Sequence, residues 1–388
     1  MIIREKMMTS WNVHFKVHVF AEDREIVDLV AQCHALAPVI NNIPITPRRE
    51  KKIDHLNILR AIRGTTGIEG ARLTEEEVRL IMDSPRSKRV LPKGREREEQ
   101  EARNADLLRK WVARKLRKTP DCVLTERVLC DMHKITTHNI NYEGNIPGEY
   151  RSRPVQVGDY LPPRDGDEVR RLVKEFISWL YEGPPRAWDP IIRAIVAHFY
   201  VVSIHPFVDG NGRTSRAVES FLLYQAGINA RGFYSLANFY YQHRSEYVSF
   251  LDEVRFRTNG DLTPFVLFAL EGLASELQTV HEEVMLEVRE IAFRDYVRDQ
   301  LQNKLTTKSG RRMFEFMFNL DTSPASIKEI RLGGHPLNGI YKNLTPRTLY
   351  RDLAELEELQ LITVEKDGSI KANLSIMSKF TAREELIS

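Results

Sequence analysis

Three features are scarce in this 388-residue sequence: cysteines, long apolar runs and net charge. The three cysteines, Cys33, Cys122 and Cys130, form no C-x-x-C pair, which excludes a disulfide scaffold and favours buried thiols in a reducing compartment. No apolar run approaches the roughly 20 residues of a membrane-spanning helix. The charged residues among positions 1–6 do not match a secretory signal. We therefore expect a cytoplasmic protein with no membrane partner.

Charge is nearly balanced over the whole chain but not along it. Lys and Arg number 57 and Asp and Glu 54, and the resulting net charge of +3 does not require a nucleic-acid or membrane partner. Residues 86–118, however, contain 13 basic and five acidic side chains. We interpret this segment as a solvated loop and an exposed helix with i,i+4 ion pairs, in preference to a binding surface.

The apolar pattern predicts a mainly α fold. With 42% apolar and 29% charged residues, the chain can bury a core and form two or three domains. Helical periodicity dominates from residue 22 onward, and Thr74 followed by Glu77 has the spacing of a helix-capping box. Residues 11–20 instead alternate between apolar and polar side chains, which predicts a half-buried strand.

A second departure from helical periodicity lies within residues 148–163. Tyr150, Val155 and Val157 flank turn-prone residues, and the segment ends with Gly158 and two prolines. This pattern predicts a small β-hairpin among helices. An isolated hairpin is a poor core element, so we expect an exposed edge or lid.

The segment with the strongest chemical signal follows an apolar helix. Residues 189–204 are apolar nearly all round, which predicts a helix in the centre of the domain. The helix ends at His205-Pro206-Phe207, and residues 208–216 (VDGNGRTSR) lead into a second apolar helix. The glycines allow a tight turn that directs successive N–H groups into one concavity at a helix N-terminus. Such a concavity binds anions, and phosphate is the obvious one.

Side chains around this turn fit phosphate chemistry. Arg213 and Arg216 share one face of the first helical turn, where positive charge opposes the helix dipole unless an anion is bound. His205 can accept a proton near neutral pH, and Asp209 can bind a divalent cation through oxygen. Taken separately, each feature is more common in ordinary loops and caps. Their combination within twelve residues favours a functional site.

Residues 205–216 match, at every defined position, the motif of Fic-domain proteins, His-Pro-Phe-x-Asp/Glu-Gly-Asn-Gly-Arg-x-x-Arg. The resemblance covers roughly residues 55–275, in which the predicted hairpin resembles the flap of the family. It implies a Fic-type helical core with a β-hairpin flap. It also implies a protein adenylyltransferase, which moves AMP from ATP to a Ser, Thr or Tyr hydroxyl of a target protein. ATP and Mg²⁺ are then required, and family habit suggests a homodimer.

The resemblance also implies a role for each matched residue. His205 would be the general base on the target hydroxyl, and Asp209 would hold Mg²⁺. The backbone of 210–212 would bind the α- and β-phosphates, Arg213 the phosphate chain and Arg216 the γ-phosphate. The flap would pair with the target segment, and Tyr247 resembles a tyrosine of the adenine pocket. The implied ATP-binding set is Glu69, Val155, Gln156, Val157, Gly158, Asp209, Gly210, Asn211, Gly212, Arg213, Thr214, Ser215, Arg216 and Tyr247.

Residues 63–70 (RGTTGIEG) carry a second possible motif. On pattern alone, its threonines and glycines could simply interrupt a helix. Thr65, Glu69 and Gly70 nevertheless match the inhibitory motif of the Fic family, Ser/Thr-x-x-x-Glu-Gly/Asn. The resemblance implies that Glu69 pairs with Arg216 and occupies the guanidinium that should bind the γ-phosphate. It therefore implies an auto-inhibited enzyme. In some relatives the same glutamate supports removal of AMP from a modified target.

The C-terminal residues are predicted to form a separate domain. Helices near 325–332, 337–342 and 346–360, followed by a hairpin with an Asp-Gly turn, resemble a winged helix-turn-helix. The predicted regions are 1–100 with the strand and inhibitory helix, 101–275 with the catalytic core, 276–318 with connecting helices, and 319–388 with the winged helix.

Two alternative functions stay open. One is a DNA-binding regulator that acts through the winged helix, and the other is a Fic-type phosphotransferase with another donor. DNA binding is not favoured, because residues 321–388 carry nine basic and ten acidic side chains, whereas phosphate binding needs a basic face.

Overall fold

The computed structural model describes residues 10, 12–17, 19, 22–229, 236–257, 260–320, 324–333 and 335–380. Within these ranges the chain is mainly helical, as predicted, and forms two compact units, Met1–Glu282 and Glu283–Ser388. None of the helices in these ranges is both long and apolar enough to cross a bilayer.

The first unit is built from helices. They are α1 (Arg24–Asn42), α2 (Pro47–Gly67), α3 (Glu75–Asp83), α4 (Glu96–Lys118), α5 (Glu126–Thr136), α6 (Gly166–Glu182), α7 (Pro190–Ile204), α8 (Asn211–Gln225), α9 (Leu236–Gln242), α10 (Arg244–Phe256) and the first part of α11 (Thr263–Leu301). The predicted capping box at the start of α3 is confirmed. Thr74 Oγ1 accepts the Glu77 N–H at 3.1 Å, and the Glu77 carboxylate accepts the Thr74 N–H at 2.9 Å.

Helix α7 lies at the centre of this unit, with nearly every side chain buried. Asp189 caps its first turn by accepting the Ile191 N–H at 2.8 Å, and Pro190 occupies the first helical position. Helix α7 packs along α8, while α2 and α4 pack against α8 from the N-terminal region. The turn between α7 and α8 is therefore placed where the N-terminal region can reach it.

The strand predicted at residues 11–20 does not form within the described residues 12–17 and 19. Val13 and Val17 are buried, as the alternation predicts, although the described residues of this segment pair with no strand. The Phe15 ring lies 5.0 Å from the Tyr200 ring, and the Tyr200 hydroxyl donates to the His14 carbonyl at 2.7 Å. The alternating pattern predicts a strand, but Phe15 on its apolar face instead contacts aromatic rings of α6 and α7.

The hairpin predicted within residues 148–163 is present but much shorter than expected. It is reduced to one antiparallel bridge, between Val157 and Tyr160, around a turn at Gly158. The backbone N–H of Arg151 donates to the Pro206 carbonyl at 2.9 Å and not to a neighbouring strand. Contacts with the α7–α8 turn thus replace the cross-strand ladder.

The second unit begins with the last turns of α11. Its further elements are α12 (Lys308–Asn319), β1 (Ala325–Ser326), α13 (Ile327–Leu332), α14 (Asn338–Tyr341), α15 (Pro346–Glu358), β2 (Ile362–Val364) and β3 (Ser369–Ala372). The three strands form a small antiparallel sheet in the order β1-β3-β2. The three helices and two later strands predicted for this tail all form. Their assignment to the winged-helix class stays a prediction.

The second unit starts earlier than the predicted boundary at residue 319. Phe293, Val297 and Leu301 of α11 and Phe316 of α12 belong to the same buried cluster as Leu356 of α15. The helices predicted as connectors therefore supply part of this core.

The three cysteines are unpaired. Cys33 is buried, whereas Cys122 and Cys130 are half-buried and not fully buried as predicted.

Candidate active site

His205 occupies the first position after α7, in a left-handed backbone conformation (φ 52°, ψ 56°). Its N–H still bonds the Val201 carbonyl at 3.1 Å, and its Nδ1 lies 3.1 Å from the Val202 carbonyl oxygen. Because a carbonyl oxygen can only accept, Nδ1 carries the proton and Nε2 is the basic nitrogen. The left-handed residue turns the chain out of α7. It places this imidazole at the start of the loop that joins α7 to α8, residues 205–210.

Burial lowers the pKa of His205 to about 4, and the nearby charges of Arg255 and Arg151 act in the same direction. The hydrogen bond to Val202 and the charge of Glu69 oppose this effect without cancelling it. The ring is therefore neutral at physiological pH and able to accept a proton.

Sequence reasoning missed Arg151, which ties the flap to the loop. Its side chain is 2% exposed. Its Nε donates to the His205 carbonyl at 2.7 Å, and its Nη1 donates to the Arg153 carbonyl at 3.0 Å. Its Nη2 bonds the carbonyls of Pro163 and Ile204. No local pattern marks this residue, because its partners lie up to 54 positions away.

Sequence reasoning also missed His133 of α5, which packs against the loop. Its ring stacks on the Phe207 ring, with centroids 3.7 Å apart and planes 5° from parallel. Its Nδ1 accepts the Gly148 N–H at 2.9 Å, so its Nε2–H donates to the Asp209 carbonyl at 3.0 Å. One buried ring thus holds both the backbone at Gly148, where the flap segment begins, and the backbone at Asp209 in the loop.

The turn itself closes through Asn211 and Gly210. The Asn211 side chain accepts the Phe207 N–H at 2.9 Å and donates to the Phe207 carbonyl at 2.8 Å. Gly210 has φ 77°, and a Cβ there would lie 2.8 Å from Thr137 Cγ2. Glycine is therefore required for backbone conformation and for space. The first N–H groups of α8, at 211–213, have no intrahelical acceptor. Their role as an anion cradle stays a prediction.

Asp209 lies among guanidinium groups. Its Oδ2 accepts from Arg97 Nη2 of α4 at 3.0 Å, and Arg213 Nη2 lies 3.3 Å from its Oδ1. Arg213 Nη1 lies 3.0 Å from Glu101 Oε1, which also accepts from Arg97 Nε at 2.9 Å. Arg97 and Glu101 come from the basic segment that was interpreted as solvated. That segment does form i,i+4 pairs, but these two residues also reach the loop.

Glu69 pairs with Arg216, as the resemblance implies. Arg216 Nη2 donates to Glu69 Oε1 at 2.7 Å and to the Thr65 carbonyl at 2.9 Å, and Arg216 Nε donates to Thr65 Oγ1 at 3.0 Å. Burial alone would raise the pKa of Glu69, but the charge and hydrogen bond of Arg216 lower it below its usual range. A Cβ on Gly212 would lie 2.1 Å from Glu69 Oε1. The carboxylate therefore lies directly against the first turn of α8.

Residues 123–223 match the model of the Fic/DOC family. Within this stretch the chain is similar to Fic domains. Its relatives include the protein adenylyltransferase Fic of Drosophila grimshawi, 31% identical over 249 residues, which are 64% of this chain and 47% of that protein. The corresponding protein of Drosophila ananassae is 32% identical over 249 residues, 64% of this chain and 46% of that protein. This chain thus spans about half the length of the curated relatives that it matches.

Solved structures agree with the Fic fold. Fic-1 from C. elegans has a TM-score of 0.54 and 23% identity, covering 66% of this chain and 71% of that chain. A Fic family protein from Desulfovibrio desulfuricans G20 has a TM-score of 0.55 and 21% identity, covering 90% of this chain and 96% of that chain. At these identities the likeness shows the fold.

Three side chains of the predicted ATP-binding set are buried and hydrogen-bonded within the fold. The Thr214 hydroxyl donates to the Gly210 carbonyl and the Ser215 hydroxyl to the Gly212 carbonyl, each at 2.8 Å, and both residues are buried. The Tyr247 hydroxyl lies 2.9 Å from His198 Nε2 in the core, and the tyrosine is 3% exposed. These hydrogen bonds occupy the three hydroxyl groups in this conformation, and their assignment to ATP, including that of Tyr247 to the adenine pocket, stays a prediction.

The flap of the Fic domain is anchored by Tyr160, which sequence reasoning did not select. The Tyr160 hydroxyl donates to the Ser203 carbonyl at 2.8 Å, and the Arg255 guanidinium lies 4.2 Å from the centroid of its ring. Of the predicted flap residues, Val155 and Val157 are half-buried, whereas Gln156 and Gly158 are exposed. The Gln156 amide donates to the Gly158 carbonyl at 2.8 Å, which stabilises the turn.

We expect the stability difference between the unaltered protein and a His133→Gln variant to shrink as the pH falls from 7 to 4. Burial lowers the pKa of His133 from 6.5 to about 4. The unfolded state therefore binds more protons between these values, and the stability present above pH 6.5 is lost as the pH falls towards 4. The loss is on the order of 2–3 kcal/mol.

Urea unfolding at several pH values, followed by tryptophan fluorescence, checks this expectation, because Trp111, Trp179 and Trp188 lie in the first unit. Parallel pH profiles for the two proteins would contradict it.

Proposed function

We propose that this chain is a protein adenylyltransferase, which transfers AMP from ATP to the hydroxyl of a Ser, Thr or Tyr side chain on a target protein. One observation carries the proposal: a neutral imidazole, His205, lies at one end of the loop, while the first turn of α8 brings its backbone N–H groups and Arg216 to the other end. A base beside an anion cradle is what transfer at phosphorus requires. The names of the Drosophila relatives support the same activity.

In the proposed reaction, the target hydroxyl oxygen attacks the α-phosphorus of ATP. The bond from this phosphorus to the oxygen that bridges to the β-phosphate breaks, and pyrophosphate leaves. Nε2 of His205 accepts the hydroxyl proton. The amides of 211–213 and the guanidinium groups of Arg213 and Arg216 would bind the phosphate oxygens and stabilise the charge that shifts between them.

Asp209 fits a magnesium ion. Among the described residues there is no cluster of three or more His, Cys, Asp or Glu side chains that could hold a metal. A lone carboxylate next to a phosphate cradle matches the way Mg²⁺ binds in such enzymes, with substrate oxygens and water as the other ligands. When bound, Mg²⁺ would neutralise phosphate charge.

We further propose that the protein rests in an inhibited state. A carboxylate that lies against the first turn of α8 and bonds Arg216 occupies the place of a phosphate group, because the same amides and guanidinium would bind either anion. Thr65 strengthens the block by accepting two further hydrogen bonds from Arg216. ATP can then bind productively only after Glu69 has moved.

Incubation with Mg²⁺ and ATP labelled at either the α- or the γ-phosphate tests the proposed activity. We expect label from the α-phosphate to appear on protein, on this chain or on a component of a cell lysate, and mass spectrometry to find an AMP adduct. Label from the γ-phosphate should stay off protein. Transfer of the γ-label would instead indicate a phosphotransferase and would overturn the assignment.

A further inference from the structure

The carboxylate of Asp209 carries an internal counter-ion that comes from outside the loop. Arg97 lies 112 positions earlier in the chain, at the start of α4, and its Nη2 is 3.0 Å from Asp209 Oδ2. Arg213 Nη2 lies 3.3 Å from Oδ1 and 3.4 Å from Oδ2. Both oxygens that would contact a divalent cation are therefore approached by guanidinium groups.

The four charged residues of this cluster differ in their freedom to move. The side chains of Arg213 and Glu101 are 5% and 6% exposed, and that of Asp209 is 14% exposed, whereas that of Arg97 is 47% exposed. Arg97 can therefore leave Asp209 and enter water at little cost. The other members of the cluster are fixed by packing.

Arg97 has contacts that keep it near Asp209 when no cation is present. Its Nε donates to Glu101 Oε1 at 2.9 Å, and its guanidinium lies 5.4 Å from the centroid of the Tyr142 ring. The Glu101 bond uses a different nitrogen from the Asp209 bond. Rotation of the guanidinium can thus break the contact with Asp209 while the bond to Glu101 stays.

We propose that Arg97 is an exchangeable counter-ion that competes with the divalent cation for Asp209, so that the cation binds only when Arg97 moves off this carboxylate. A divalent cation added beside Arg97 and Arg213 would be strongly repelled, because all three positive groups would lie within a few ångströms of each other. Of the two arginines only Arg97 is exposed enough to move away. The inference rests on the proposed function for the role of Asp209. It assigns Arg97 a regulatory role at the metal position, separate from that of Glu69 at the phosphate position.

Removal of the Arg97 charge is expected to tighten cation binding. We would measure Mn²⁺ affinity by electron paramagnetic resonance, with an ATP analogue that has a methylene group between the α- and β-phosphates. An Arg97→Met variant keeps the aliphatic stem and should bind Mn²⁺ about three- to tenfold more tightly, the effect of losing one partly exposed charged hydrogen bond. Arg97→Lys keeps the charge and should fall between Arg97→Met and the unaltered protein.

Arg171→Met is the matched control, because Arg171 forms an exposed i,i+4 pair with Glu175 on α6. It should leave the Mn²⁺ affinity unchanged. A second control is binding of the analogue in EDTA, which Arg97→Met should not weaken. Weaker binding there would show that Arg97 is a phosphate ligand, and it would overturn the proposal.

The design separates this inference from the proposed function. Loss of Mn²⁺ binding in Asp209→Asn supports the assigned metal position, whereas unchanged binding in that variant contradicts it. Equal Mn²⁺ affinity in Arg97→Met and the unaltered protein overturns the competition alone. If the unaltered protein binds no Mn²⁺, the competition still requires Arg97→Met to gain binding, and its failure to do so overturns the inference.

Discussion

Replacement of His205 by alanine is expected to lower the rate of AMP transfer to protein by about 10²–10⁴-fold, the usual contribution of a positioned general base. The reason is geometric and electrostatic. The Val202 carbonyl fixes the proton on Nδ1, and burial keeps the ring neutral, so Nε2 can accept the hydroxyl proton. Affinity for ATP should change little, because the phosphate contacts come from α8.

This comparison is best made in a Glu69→Gly background, where inhibition does not mask the rate. Incorporation of α-labelled AMP gives the rate, and fluorescence titration with ATP gives the affinity. His138→Ala is a suitable control. His138 is exposed and lies just after α5, the helix that contains the buried His133. A His205→Ala rate within twofold of the parent would show that another group takes the proton.

Replacement of Glu69 by glycine is expected to raise the rate of AMP incorporation by about 10–100-fold. A hydrogen bond between charged groups contributes roughly 1.5–3 kcal/mol, and this one must break before Arg216 can bind phosphate. Glycine removes the carboxylate both from Arg216 and from its position against Gly212. The measurement is the initial rate with α-labelled ATP at fixed Mg²⁺.

The isosteric variant Glu69→Gln separates charge from shape. Its amide oxygen can still accept from Arg216, but the ionic attraction is lost, so its rate should lie between those of the unaltered protein and Glu69→Gly. Equal rates in all three proteins would remove Glu69 from the inhibition. An increase in Glu69→Gln equal to that in Glu69→Gly would assign the inhibition to charge alone.

The core of the site could be predicted from the sequence because it is local. A helix end, a glycine-flanked turn and two arginines one helical turn apart lie within residues 205–216, and each has a direct physical reading. The side chains that support them come from distant positions. Arg151, His133 and Arg97 make their contacts with the loop across 54, 76 and 112 positions. No short pattern encodes such contacts.

In the fold, too, features that depend on neighbouring residues could be predicted, whereas those that depend on distant residues could not. Capping and apolar periodicity predicted the helices, since both depend on neighbours within one turn. Period-two alternation at 11–20 and turn residues at 148–163 predicted strands, but a strand requires a partner with free backbone groups. At the first place the Tyr200 side chain of α7 bonds the backbone, and at the second the Pro206 carbonyl just after α7 does so. The early start of the second unit likewise depends on packing of α11 and α12 against the tail, which local sequence does not specify.

The ion pairs around the loop between α7 and α8 also influence how ATP would approach it. The contacting side chains are three carboxylates and three guanidinium groups: Glu69, Glu101, Asp209, Arg97, Arg213 and Arg216. Their formal charges cancel, so the resting loop exerts little long-range attraction on a polyanion. Withdrawal of Glu69 leaves an excess positive charge, which speeds the encounter with ATP and makes its rate sensitive to ionic strength. The inhibitory carboxylate would thus regulate the arrival of the nucleotide as well as its alignment.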